Sequence, residues 1–171
     1  MRNRMIIGTL MLSFILATSA QAEPSNWGEV SEEQWAAAVP EQYPNTQAVV
    51  LFDRGHAKWE AKSLKFTRHR RLKVLDSATD SVGRLEIEIA EYDHLDELKA
   101  LILRPDGTRE EFGKDDITAE AEHGDLKIYT AKLADVQPGV IIDWFYEIDY
   151  YGGFEYLGPM KLLFYAIKFG G

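Results

Sequence analysis

The run from Leu64 to Leu75, Leu-Lys-Phe-Thr-Arg-His-Arg-Arg-Leu-Lys-Val-Leu, alternates with a period of two and is the most basic stretch of an acidic chain. Leu64, Phe66, Arg68, Arg70, Leu72 and Val74 share one face, while Lys65, Thr67, His69, Arg71 and Lys73 share the other. The pattern predicts a β-strand with the first set turned inward and the second set wet. Arg68 and Arg70 then point toward the core. Buried cations persist only when paired, so an acidic group is expected beside them.

A second alternation, Val82 to Ala90, places Leu85, Ile87 and Ile89 opposite Arg84, Glu86 and Glu88. Joined by a polar loop over Asp76 to Ser81, the two strands are expected to form a hairpin. With Leu75 opposite Val82, Leu72 faces Leu85 on the apolar side, and Arg71–Glu86 and His69–Glu88 form a charge cluster on the wet side. The rest of the chain repeats this grammar. Gln47 to Phe52 reads as a strand closed by Asp53-Arg54-Gly55, with His56 to Glu60 as its return. Leu98 to Leu103 is apolar on both faces, the mark of a strand covered twice. Arg104-Pro105-Asp106-Gly107-Thr108 is a tight turn with Arg109 to Phe112 returning, and His123-Gly124-Asp125 turns into Leu126 to Leu133. Pro138-Gly139 opens the longest alternation, Val140 to Tyr150, expected near a sheet centre and beside the Leu126 strand. Short strands with glycine-rich turns predict an all-β fold, an antiparallel β-sandwich.

Ahead of the strands, Ser31-Glu32-Glu33-Gln34 has the capping-box pattern of a short helix ending near Pro40, and Tyr43-Pro44-Asn45 makes a turn. Earlier still, Arg2 and Arg4 precede an uncharged apolar run, Met5 to Ala17, and a small-residue ending, Ala20-Gln21-Ala22. That is the form of a signal peptide cleaved after Ala22, and the apolar run is short for a membrane span. The expected organisation is therefore a leader (1–22), an N-terminal helix and linker (23–46) and a sandwich (47–171), exported to the periplasm or secreted, with no membrane span in the mature chain.

Chemistry is sparse. A formal net charge of −9 on 171 residues argues against nucleic acid or anionic lipid as a partner. The absence of cysteine removes disulfides, thiolate metal sites and a cysteine nucleophile. His56, His69, His94 and His123 lie singly, without zinc-ligand spacing, and there is neither a G-x-S-x-G elbow nor a phosphate loop. Neither catalytic residues nor a cofactor is predicted. Asp93, Asp96, Glu97, Asp115, Asp116, Asp143, Glu147 and Asp149 read as a solvated acidic face, with a pair flanking a glycosidic bond as the sharper alternative. Trp144 and Tyr146 read as core. Tyr150, Tyr151, Phe154 and Tyr156, beside Gly152-Gly153, form a candidate binding surface. Phe164 and Phe169, in an apolar tail without alternation, are candidate anchors for self-association through an open C-terminal edge.

Several motifs in order give a family resemblance. They are Trp27-Gly28-Glu29-Val30-Ser31-Glu32-Glu33, Ala48 to Gly55, Arg68 to Leu75, Leu103-Arg104-Pro105-Asp106-Gly107 and Val136 to Asp143. Together they resemble the exported bacterial domain of unknown function, family 3857, found N-terminal to transglutaminase-like domains. The resemblance implies a β-sandwich without assigned catalytic residues that serves as an accessory domain. It also implies further strands and a papain-like cysteine domain, so a cysteine-free chain of this length is expected to be truncated at its C-terminus. The function expected is that of a non-catalytic accessory module binding a protein or cell-envelope polymer. A carboxylate-based polysaccharide hydrolase and a remnant without independent function are the alternatives.

Overall fold

The computed structural model describes residues 26–39, 41–75, 81–134 and 136–151. Its elements are α1 (Glu32–Ala36), β1 (Ala48–Trp59), β2 (Leu64–Val74), β3 (Arg84–Ala90), β4 (His94–Leu103), β5 (Arg109–Phe112), α2 (Lys114–Ile117), β6 (Thr118–His123), β7 (Leu126–Lys132) and β8 (Ile141–Tyr150). A five-stranded antiparallel sheet, ordered β1-β2-β8-β4-β5, packs on a three-stranded one, β3-β7-β6. The predicted sandwich and short helix are both present. The capping box is realised in both directions, with Ser31 Oγ accepting from the Gln34 amide and Gln34 Oε1 accepting from the Ser31 amide.

The main core lies between the sheets. Leu72, Val74, Ala100, Ile102, Ile142, Trp144 and Ile148 of the larger sheet meet Leu85, Ile87, Ile89, Tyr129 and Ala131 of the smaller. A second cluster lies on the opposite face of the larger sheet, where Trp27, with Val30 and Trp35, covers Leu101, Leu103, Ile141 and Phe145. This second layer explains why Leu98 to Leu103 is buried almost continuously and why β8 is buried through its first six residues.

Three pairings differ from expectation. First, β1 is one continuous strand that reaches from Ala48↔Val74 to Trp59↔Leu64, with a bulge between Val50 and Phe52. Asp53-Arg54-Gly55 is no turn. A Cβ on Gly55 would stand 3.1 Å from the Phe66 ring, so glycine here permits close approach within a strand. Second, β2 and β3 do not form a hairpin. β2 lies between β1 and β8, and β3 pairs with β7 in the other sheet. Leu72 and Leu85 do share the core, but from opposite sheets. Alternation specifies which side chains turn inward, and facing across a sandwich satisfies it as well as lying side by side. Third, β8 is central as expected, but its neighbours are β2 and β4, not the Leu126 strand.

Candidate functional site

The most buried side chain of β2 is a charged one. Arg71, placed on the wet face by alternation, is 1% exposed and Asp143 of β8 is 0% exposed. They are cross-strand partners, and their side chains form a bidentate pair, Nε to Oδ1 at 2.5 Å and Nη2 to Oδ2 at 2.7 Å. The rest of the guanidinium addresses the N-terminal segment. Nη2 donates to the Asn26 carbonyl at 2.7 Å, and Nη1 donates to Gln34 Oε1 at 2.9 Å and to the Glu29 carbonyl. Asp143 Oδ2 in turn accepts from the Gly28 amide at 2.9 Å. Gly28 can present that amide because it holds φ at +67°, where a side chain would be strained and would meet Leu101.

Neighbouring cations extend the clasp. Lys73 donates to the Ala37 carbonyl at 2.7 Å and to that of Trp35, and Arg109 donates to the Gly28 carbonyl at 2.5 Å. Trp27 is buried among the rings of His69 and Phe145, with the Lys99 ammonium 5.1 Å from its centroid. His69 Nε2 stands 3.6 Å from Asp143 Oδ1, so protonation would add a second cation to the same carboxylate. An open cleft of about 410 Å³ lies above, lined by Asn26, Glu29, Gln34, Phe52, Arg54 and Arg71 among others.

Burial alone would raise the Asp143 pKa. Hydrogen bonds from Arg71 and the Gly28 amide, with the His69 ring close by, outweigh it and hold the carboxyl below its usual range. Between that lowered value and the ordinary one near 3.8, the unfolded chain binds more protons than the native protein. The stability from this group is therefore complete above the ordinary value and is lost as pH falls through the lowered one. Acid unfolding followed by circular dichroism should show that loss, and Asp143→Asn should flatten the curve in the same window.

The inward pair finds the acid that the sequence demanded. Asp53 of β1 receives Arg68 through Nε at 2.7 Å and Nη2 at 2.5 Å, and Arg70 Nε lies 3.9 Å from the same carboxylate. Burial opposes the charge of Arg68, but its bonds to Asp53 and Tyr146 more than offset this and raise its pKa. For Arg70 burial prevails and the shift is downward. A third group gathers on the outer face, where Lys65 bonds Glu147 at 2.5 Å and lies within 4 Å of Asp96 and Asp149. Burial and a hydrogen bond with Asp96 raise the Asp149 pKa. Its native form then binds extra protons, so stability falls as pH rises through the shifted value. Asp149→Asn should accordingly melt slightly above the parent at neutral pH in scanning calorimetry.

The sequence-predicted sites separate. Arg71 and His69 do not meet Glu86 and Glu88. Glu86 pairs with Arg84 of its own strand, and Glu88 sits opposite Ile128. The acidic face is not uniformly solvated, since Asp143 and Asp93 are buried. Asp93 Oδ1 accepts from the Tyr151 amide at 2.8 Å. Tyr150 is half-buried near Phe66, and Tyr151 is exposed with its ring against His94. Phe154, Tyr156, Phe164 and Phe169 lie outside the described residues, as does the leader. Trp144 and Tyr146 are core, as expected. Among the described residues no group of three or more histidine, cysteine or acidic side chains is placed to hold a metal ion, and no helix is long and apolar enough to cross a membrane.

The model of a family described as a domain of unknown function with solved structure, DUF3857, matches residues 60–162. This chain belongs to the DUF3857 family. The match contains Arg68, Arg71 and Asp143, whereas Asp53 and the clasped segment Asn26–Gln34 precede it. No curated protein matches the sequence. Among solved structures, a crystal structure from Parabacteroides distasonis ATCC 8503, named as a putative protease, superimposes with a TM-score of 0.55 at 16% identity. The likeness covers 63% of this chain and spans about a quarter (24%) of that one, and it supports the fold alone. The fibre head of bovine atadenovirus type 4 overlaps 60% of this chain and 95% of its own at 9% identity, with a TM-score of 0.34 that carries no argument.

Proposed function

We propose that this DUF3857 domain is a non-catalytic, exported binding module, an accessory domain of the kind that precedes a transglutaminase-like core. The observation that carries the reading is the saturation of its strongest charges. Every N–H of Arg71 reaches an acceptor, and Asp143 is closed off beneath the N-terminal segment, so the residues best suited to chemistry hold the fold together.

Mass-spectrometric assays of the purified protein against casein and peptidoglycan fragments test the reading. No product is expected. Product that disappears in Asp143→Asn or Asp149→Asn would replace the module with a carboxylate-dependent hydrolase. Export is tested separately, because Ala20-Gln21-Ala22 offers the peptidase its small residues. Intact mass of periplasmic material should correspond to a chain starting at Glu23, and a membrane-bound species retaining Met1 would refute cleavage.

A further inference from the structure

The larger sheet ends in a long exposed strand. β1 runs for 12 residues, pairs on one side with β2 and, among the described residues, forms one edge of the sheet. Its second half, Asp53 to Trp59, is exposed throughout and contains no proline. Every second residue there turns its N–H and C=O away from β2. The register sets Arg54, His56 and Lys58 opposite His69, Thr67 and Lys65, on the face that also carries Arg71. The edge therefore presents three basic side chains at alternate positions in a protein whose net charge is −9. Arg54 and Lys58 are only weakly engaged. Lys58 lies 3.5 Å from Glu60 with both side chains largely exposed, and Arg54 rests over the Phe52 ring at 4.8 Å.

Cations on an edge strand guard against aggregation, and here they do so selectively. A second copy laid antiparallel about His56 would set Arg54 against Lys58, like charge against like. The complementary occupant is a strand with carboxylates at alternate positions. We propose that the outer half of β1 binds an extended peptide segment carrying Asp or Glu at every second residue, added antiparallel to the sheet. This names a partner class for the binding module and rests on that reading. A peptide is favoured over an anionic polysaccharide because the edge offers main-chain donors and acceptors in a row at the spacing of another strand.

Fluorescence anisotropy with the full chain and a labelled, capped peptide of alternating valine and glutamate tests the proposal. Saturable binding is expected. Arg54→Gln with Lys58→Gln should weaken it about tenfold, the sum of two exposed charge pairs, while leaving the circular dichroism unchanged. The same peptide methylated at every backbone nitrogen should lose binding altogether. Failure to bind overturns the proposal, as does equal affinity for the methylated peptide or for polygalacturonate, either of which would make the site a simple polyanion patch. Turnover in the assays above removes the module reading itself, whereas absence of both turnover and peptide binding removes only this edge.

Discussion

Arg71→Met should cost about 3 to 5 kcal/mol, because it leaves Asp143 charged, buried and short of its main partner. For a domain of this size that corresponds to a fall in Tm of roughly 10 °C, readable by scanning calorimetry. Exposed Arg84, which serves as a control, pairs with Glu86 at the surface, and Arg84→Ala should cost under about 1 kcal/mol. The double change Arg71→Met with Asp143→Leu should recover much of the loss, since replacing a buried pair with apolar groups of similar volume is often neutral. If Arg71→Met melts with the parent, the clasp contributes nothing and the site is misassigned. If the double variant is no better than the single one, the clasp matters through the N-terminal segment it holds and not through charge compensation.

Trp27→Ala should be the next most damaging, at about 3 to 5 kcal/mol, the usual range for emptying a buried tryptophan site. The loss acts on the outer face of the larger sheet, since Trp27 is the buried residue that the N-terminal segment contributes to the second core. The expected signature is thermal destabilisation together with new proteolytic cleavage within Asn26 to Ala37, mapped by mass spectrometry. Ordinary core disruption would instead open the whole domain, with no preference for that stretch. Trp59→Ala, at a 53% exposed position, should change Tm far less.

Alternation identified the strands well and their neighbours poorly. Leu98 to Leu103 declared double burial by carrying apolar residues at consecutive positions, and Val140 to Tyr150, read as the longest alternation, took the expected place at the sheet centre. Asp53-Arg54-Gly55 looked like a turn by composition, yet pairing with Arg68 and Arg70 and the close approach to Phe66 made it strand. For Arg68 and Arg70 the demand for an acid was sound, and Asp53 met it from the adjacent strand. The face of Arg71 was misjudged because a polar position was equated with a wet one. The cover comes from Asn26 to Ala37, more than thirty residues upstream, and no period within β2 records it. The signal was present elsewhere, as an aspartate inside the apolar run of β8 and a tryptophan-glycine pair before α1. Only the fold brings these together.

The place of β8 also bears on the order in which the domain is assembled. The hairpins β1-β2 and β4-β5 share no ladder with each other, and both are joined only when β8 enters between them. Among the described strands the central one is thus the last of the larger sheet to be synthesised, and its pairings with β2, from Lys73↔Ile141 to Leu64↔Tyr150, are all far apart in sequence. Such non-local pairing is slow to form. A nascent chain that has not reached Tyr150 holds two separate ribbons with no seam between them, so the larger sheet closes only once β8 is present.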